Sequence, residues 1–185
     1  MEVRIHCLGG QGGVTAARII GLAAVKDGRA AVAFPSFTVE RRGAPVQAFV
    51  RVGEGGEIFD RSFVYRPDYV LIFDPKLVNS PAVLAGASES TKFLVNTRSP
   101  ASAAKALRVR ELAWVDALRL SLEVLKAPIV NTAMCGAFAA YSKLISARAL
   151  EEAIREVLPP RLASANVEAA LRAYGEVRVW LEEAE

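Results

Sequence analysis

Metal-binding side chains are scarce in this sequence. Its 185 residues include two cysteines, Cys7 and Cys135, and one histidine, His6. A structural zinc takes four Cys/His ligands and an iron–sulfur cluster usually four thiolates, so the chain is expected to complete neither by itself. Two cysteines without a secretory segment read as buried thiols rather than a disulfide. The opening Met1-Glu2-Val3-Arg4-Ile5 enters a strand pattern at once, which predicts a cytoplasmic protein with no signal peptide. Long apolar runs are missing too. The densest, Val70–Phe73 and Gly136–Tyr141, fall far short of the ~18–20 residues of a membrane span, so no membrane partner is expected. Charge of one sign is not in excess either. With 23 Lys+Arg against 20 Asp+Glu the net charge is +3, and no basic cluster stands out that would point to nucleic acid. Finally, no Ser/His/Asp set can be assembled. His6 lies inside a strand and reads as a packed residue, and the Glu151-Glu152 and Glu182-Glu183 pairs read as solvated faces. Asp74 and Asp116 close core strands and suit capping better than acid–base work.

Hydrophobic residues make up 52% and charged residues 23%, a composition that excludes disorder. The length suits one domain spanning residues 1–185, able to bury a sizeable core without a covalent staple. The pattern opens with a strand, Val3–Leu8, a turn, Gly9-Gly10-Gln11-Gly12-Gly13, and a helix, Val14–Lys26, closed by Asp27-Gly28. A short strand follows over Ala30–Phe34, completing a βαβ unit. Pro35–Pro45 reads as a charged loop. Val46–Val52 then alternates and, with the Gly53–Gly56 turn, predicts a hairpin returning over Glu57-Ile58-Phe59, an antiparallel insertion in a parallel arrangement. Tyr69–Phe73 and Phe93–Asn96 are runs of strands buried on both faces, with a helix over Pro81–Ala87 between them. Ala113–Val115 is expected as the last strand. Helices are predicted over Ala117–Lys126, Ala133–Ile145, Ala149–Leu158 and Leu162–Glu176. The expected fold is a three-layer α/β/α domain with a mixed, mainly parallel sheet, an inserted β-hairpin and a helical C-terminal part. There is no internal repeat.

The glycine turn is the main chemical feature. Glycines between strand and helix allow close backbone approach, and a helix N-terminus offers unpaired N–H donors and the positive end of a dipole. As a dinucleotide fingerprint the turn is imperfect. One register begins with Cys7, and the register from Gly10 ends on Thr15. The second strand ends Ala33-Phe34-Pro35-Ser36 without the acid that holds a ribose. Three readings stay open: a dinucleotide site, an anion or nucleotide-like site, and a turn needed only for tight packing. The second feature is Glu40-Arg41-Arg42-Gly43, at the end of a core strand where α/β ligand sites form. Arginine forks match carboxylates and phosphates. From the sequence alone a solvated or subunit-contact loop is the slightly favoured reading.

Taken together, Ile5-His6-Cys7-Leu8-Gly9-Gly10-Gln11-Gly12-Gly13-Val14-Thr15-Ala16-Ala17, Ala33-Phe34-Pro35-Ser36-Phe37, Glu40-Arg41-Arg42-Gly43-Ala44-Pro45-Val46 and Asn131-Thr132-Ala133-Met134 resemble one family over nearly the whole chain. It is the γ subunit of the pyruvate/2-oxoacid:ferredoxin oxidoreductases. The resemblance implies a subunit of an enzyme that oxidatively decarboxylates a 2-oxoacid, with coenzyme A, to an acyl-CoA, CO2 and reduced ferredoxin. It implies that thiamine diphosphate, Mg and [4Fe-4S] clusters sit on α-, β- and δ-type partner subunits, with ferredoxin as electron acceptor. The middle loop points to the pyruvate or branched-chain type. By the same analogy Gly9, Gly10, Gln11, Gly12, Gly13, Thr15, Glu40, Arg41, Arg42, Gly43, Asn131 and Thr132 are candidates for the coenzyme A region or for subunit contact. Two positions depart from the family pattern: Cys7 stands where the turn usually opens with Gly, and Leu118 follows Asp116-Ala117 where Ala-Thr is usual. The alternatives are a free-standing nucleotide-binding oxidoreductase and a non-catalytic assembly module.

Overall fold

The computed structural model describes residues 1–36, 43–56, 58 and 60–182. In chain order the elements are β1 (Glu2–Leu8), α1 (Gly13–Lys26), β2 (Ala30–Pro35), β3 (Pro45–Gly53), β4 (Tyr69–Ile72), a 3-10 helix (Pro75–Asn79), α2 (Pro81–Leu84), β5 (Lys92–Asn96), α3 (Pro100–Leu107), β6 (Glu111–Val115), α4 (Ala117–Val124), α5 (Asn131–Ser142), α6 (Ala147–Val157), α7 (Pro160–Glu176) and β7 (Arg178–Leu181). The strands form one mixed sheet in the order β2-β3-β1-β4-β5-β6-β7. β1, β4, β5 and β6 pair in parallel, whereas β3 runs antiparallel to both β1 and β2, and β7 antiparallel to β6. No described helix is long and apolar enough to cross a membrane.

The period of two in each strand sends side chains to opposite faces, and the two faces are covered differently. Val3, Ile5 and Cys7 of β1, with Val46, Ala48 and Val50 of β3 and Leu71 of β4, meet α1, α5, α6 and α7. On the other face Val70, Ile72, Phe93 and Val95 pack under the 3-10 helix, α2 and α3 through Leu77, Val83, Ala104 and Leu107. This is the expected three-layer architecture. Beneath β1 to β3 that second face is closed by the segment 60–67 rather than by a helix. Phe34, Phe49 and Val64 form its apolar seal. Two buried arginines pin the segment down. Arg4 donates to Val64 O (3.3 Å) and to Val83 O (3.0 Å), while Arg51 donates to Ser62 O (2.7 Å) and pairs with Glu2 (2.8 Å).

Four expectations need correction. The antiparallel mate of β3 is β2 on one side and β1 on the other; Ile58 is in no strand, and Glu57 and Phe59 lie outside the described residues. The reason is burial: Val46 and Ala48–Val52 are buried, and a central strand needs a neighbour at each edge. β6 is not the last strand, because β7 leaves the end of α7 and pairs with it. An unforeseen helix, α3, opens with Pro100 in its first turn and runs through an alanine-rich stretch. The helix expected over Pro81–Ala87 stops at Leu84, just before Gly86 turns to φ 70°.

Candidate functional site

The chain leaves β1 for β2 by way of α1 on one face, and leaves β4 for β5 by way of the 3-10 helix and α2 on the other. The carboxyl ends of β1 and β4 are therefore a topological switch point, the place where open α/β sheets hold ligands. The Gly9–Gly13 turn sits there. Gln11 shapes it: its Oε1 accepts from Leu8 N–H (2.8 Å), and its own N–H returns to Leu8 O (3.0 Å). The Gln11 amide then spans the switch point by donating to Asp74 Oδ2 at 2.9 Å. The other oxygen of Asp74 caps the 3-10 helix through Lys76 N–H, so this aspartate works as a cap, as expected.

Gly12 opens α1 in the left-handed conformation (φ 78°, ψ 29°), and a Cβ there would come within 2.6 Å of Asn131 Nδ2. Both the dihedral and the contact require glycine. No side chain caps α1, and no acidic residue stands in its first turn. Its first N–H groups have no partner within the helix, the arrangement in which helix N-termini receive anions. Gly43 joins the turn: its N–H donates to Gly9 O (3.1 Å), and Gly9 N–H donates to Ala44 O (2.8 Å).

Of the residues singled out from sequence, Gly9, Gly10, Gln11, Gly12, Gly13, Gly43 and Asn131 converge on this point, with Thr15 half-buried in the first turn of α1. Thr132 does not face it. Its side chain is fully buried, and its hydroxyl donates to Asn166 Oδ1 at 2.8 Å, which ties α5 to α7. Glu40, Arg41 and Arg42 lie outside the described residues. Asp74 was not foreseen as a neighbour of the turn. The Thr132 contact gives a first prediction. Thr132→Val keeps the shape but strands Asn166 Oδ1, and should lower the unfolding free energy by about 1–3 kcal/mol in urea titrations.

The two cysteines are buried thiols on different elements. Cys135 is fully buried in α5, where burial holds its thiol well above the usual range, and Cys7 is buried on β1 behind Gly13. Among the described residues no group of three or more His, Cys, Asp or Glu is placed to hold a metal. An open cleft of about 960 Å³ lies away from the turn, at the amino ends of β5 and β6. There Tyr141 donates to Glu111 (3.3 Å), and burial, reinforced by that carboxylate, keeps the phenol protonated.

A mixed α/β sheet with a glycine turn at its switch point defines an open three-layer α/β domain. More particularly, the chain belongs to the pyruvate ferredoxin/flavodoxin oxidoreductase family, which it matches over residues 2–176, and it is a γ-type subunit of a 2-oxoacid:ferredoxin oxidoreductase complex. It is 43% identical to pyruvate synthase subunit PorC of Methanothermobacter marburgensis, over 96% of this chain and 98% of that protein. To the pyruvate/ketoisovalerate oxidoreductases common subunit gamma of Pyrococcus furiosus it is 41% identical, over 97% and 98%. The crystal structure of pyruvate oxidoreductase subunit PORC from Thermotoga maritima superimposes with a TM-score of 0.84 at 34% identity, covering 97% of each chain. The fold also recurs within 2-oxoglutarate:ferredoxin oxidoreductase from Magnetococcus marinus, solved with 2-oxoglutarate, coenzyme A and succinyl-CoA. There the TM-score is 0.74 at 16% identity, over 95% of this chain and 30% of that one.

Proposed function

We propose that this subunit completes the coenzyme A region of its complex, presenting the N-terminus of α1 at the Gly9–Gly13 turn to a phosphate of coenzyme A. The carrying observation is the α1 N-terminus behind left-handed Gly12, at the switch point, with no acidic residue in its first turn and no capping side chain among the described residues. The Magnetococcus marinus relative, which shares the fold and was solved with coenzyme A, supports the reading. Gly43 bonds to Gly9 of the same turn, and Arg41 and Arg42, which precede it in the sequence, are the guanidinium forks proposed to meet the anion.

The reaction served is oxidation of a 2-oxoacid, pyruvate or a branched-chain one, with coenzyme A to acyl-CoA and CO2, the electrons passing to ferredoxin in the cytoplasm. Thiamine diphosphate, Mg and [4Fe-4S] clusters belong to α-, β- and δ-type subunits. The residues of this chain do not fit a cluster, since two buried cysteines cannot supply the four thiolates that one usually takes. No step through those groups is assigned to it.

Thr15→Asp tests the assignment in the assembled complex. A carboxylate in the first turn of α1 occupies the helix N–H groups and repels a phosphate. The KM for coenzyme A should rise about tenfold while the subunits still co-elute. An unchanged KM in an intact complex would overturn the phosphate role. Arg41→Ala with Arg42→Ala separates the remaining reading, because weakened subunit association at constant KM marks the loop as an assembly contact.

A further inference from the structure

The sheet ends at β7, and this edge strand is complementary to itself. β7 pairs with β6 in the register Leu112–Trp180 and Glu111–Leu181, and Glu182 N–H donates to Arg110 O at 2.8 Å. The alternation of an antiparallel ladder fixes the rest. Arg178, Trp180 and Glu182 turn their backbone groups toward β6, while Val179 and Leu181 turn theirs outward. The side chains of Val179 and Leu181 are 50% and 61% exposed on the helical face of the sheet. The strand carries no proline and no bulge to discourage pairing, so it is an open template for another strand.

We propose that β7 pairs antiparallel with β7 of a second copy of this chain, about a two-fold axis through Trp180, joining two sheets into one. In this register Val179 lies opposite Leu181 of the second copy, and the outward N–H and C=O groups of the two exchange both hydrogen bonds. The four apolar side chains form one cluster on the helical face. On the other face Arg178 lies opposite Glu182 of the second copy at each end, with the two Trp180 rings between. Arg178 is held on that face by the Trp114 ring, 5.9 Å from its guanidinium. Among the described residues the Glu182 carboxylate meets Arg110, in an exposed contact at 3.8 Å. Other registers that match the outward groups lose this fit. Centring on Val179 sets Arg178 against Trp180, and centring on Leu181 sets Glu182 against Trp180. The charge pattern therefore selects this register, and pairing of one strand with itself closes the assembly as an isologous dimer.

The test is sedimentation of the full chain over a range of concentrations, with hydrogen exchange read at individual amides. The wild-type chain should reach a dimer, with Val179 and Leu181 amides slowing as concentration rises. Arg178→Glu sets like charges against each other at both ends and should weaken the dimer about tenfold or more. Adding Glu182→Arg restores opposite charges and should recover dimerisation, although the Trp114 contact stays lost. Val179→Pro removes an outward donor without touching the β6 ladder and should leave a folded monomer. A wild-type chain that stays monomeric, or a charge swap that fails to recover the dimer, overturns the proposal. So does protection of these amides that arises only when other subunits of the complex are added.

Discussion

Replacing Gly136 by alanine is expected to destabilise the chain strongly, against the usual helix preference for alanine. Gly136 lies in the middle of α5, and a Cβ on it would stand 2.6 Å from the carbonyl carbon and 2.9 Å from the Cα of Ala170 in α7, closer still to the carbonyl oxygen. These are backbone atoms of a packed helix, so no side chain can swing away. α5 and α7 meet at Gly136 and Ala170, and Ala133, Ala137 and Ala173 are buried in the same core. Relief requires the helices to move apart, opening the core beneath α5. In an exposed helix the substitution would gain about 1 kcal/mol from propensity. Here overpacking reverses the sign, and a net loss of about 3 kcal/mol is expected. Thermal unfolding followed by circular dichroism should show a midpoint lower by about 6–12 °C. Gly175→Ala is the control. It lies in α7 with nothing within 4 Å of the added methyl, and should be neutral or slightly stabilising. Equal midpoints for the two variants would mean that α5 and α7 are not in backbone contact.

The same helix explains what the sequence discloses and what it hides. α1 is legible because a glycine turn starts it, Asp27-Gly28 ends it and its apolar residues share a face. β4 and β5 are legible because strands covered on both faces become unbroken apolar runs. α5 is buried from Asn131 through Ala139, so periodicity carries no sign of what it packs against, and the role of Gly136 surfaces only once α7 is in place. The alternation of β3 shows a strand but not its neighbours, and the glycine-rich turn after it mimics a hairpin. β7 escapes because a four-residue edge strand with Val179 and Leu181 in the open has no buried pattern to read. At the site, the Gly9–Gly13 turn is plain in the sequence. Its bond to Asp74 joins residues 63 apart and waits on the order of β1 and β4. Asn131 stood out by resemblance; what it does, filling the space that Gly12 leaves, is a matter of topology.

Acidification should destabilise the chain through His6, before most carboxylates titrate. His6 is 4% exposed on β1, its Nε2 is buried with no hydrogen-bond partner among the described residues, and Arg4 stands two residues earlier on the same face. Burial first, and the Arg4 charge second, hold the imidazole pKa down to about 3, against 6.5 for an exposed histidine. Above pH 6.5 the ring is neutral whether the chain is folded or not, and it contributes no pH dependence. Between 6.5 and about 3 the unfolded chain binds a proton that the folded chain refuses. The unfolding free energy therefore falls with falling pH by about 1.4 kcal/mol per unit. From pH 6.5 to pH 5, above the usual carboxylate range, the expected loss is about 2 kcal/mol, read from denaturant titrations at the two values. In His6→Leu that slope should vanish over the same interval, whatever the substitution does to stability at neutral pH. Because the sequence holds one histidine, its ring protons are unambiguous in a magnetic resonance spectrum, and they should not shift between pH 7 and pH 5 while the chain stays folded. A ring that titrates near 6.5 in the folded chain would mean that water reaches it, and would remove burial at β1 as the source of acid sensitivity.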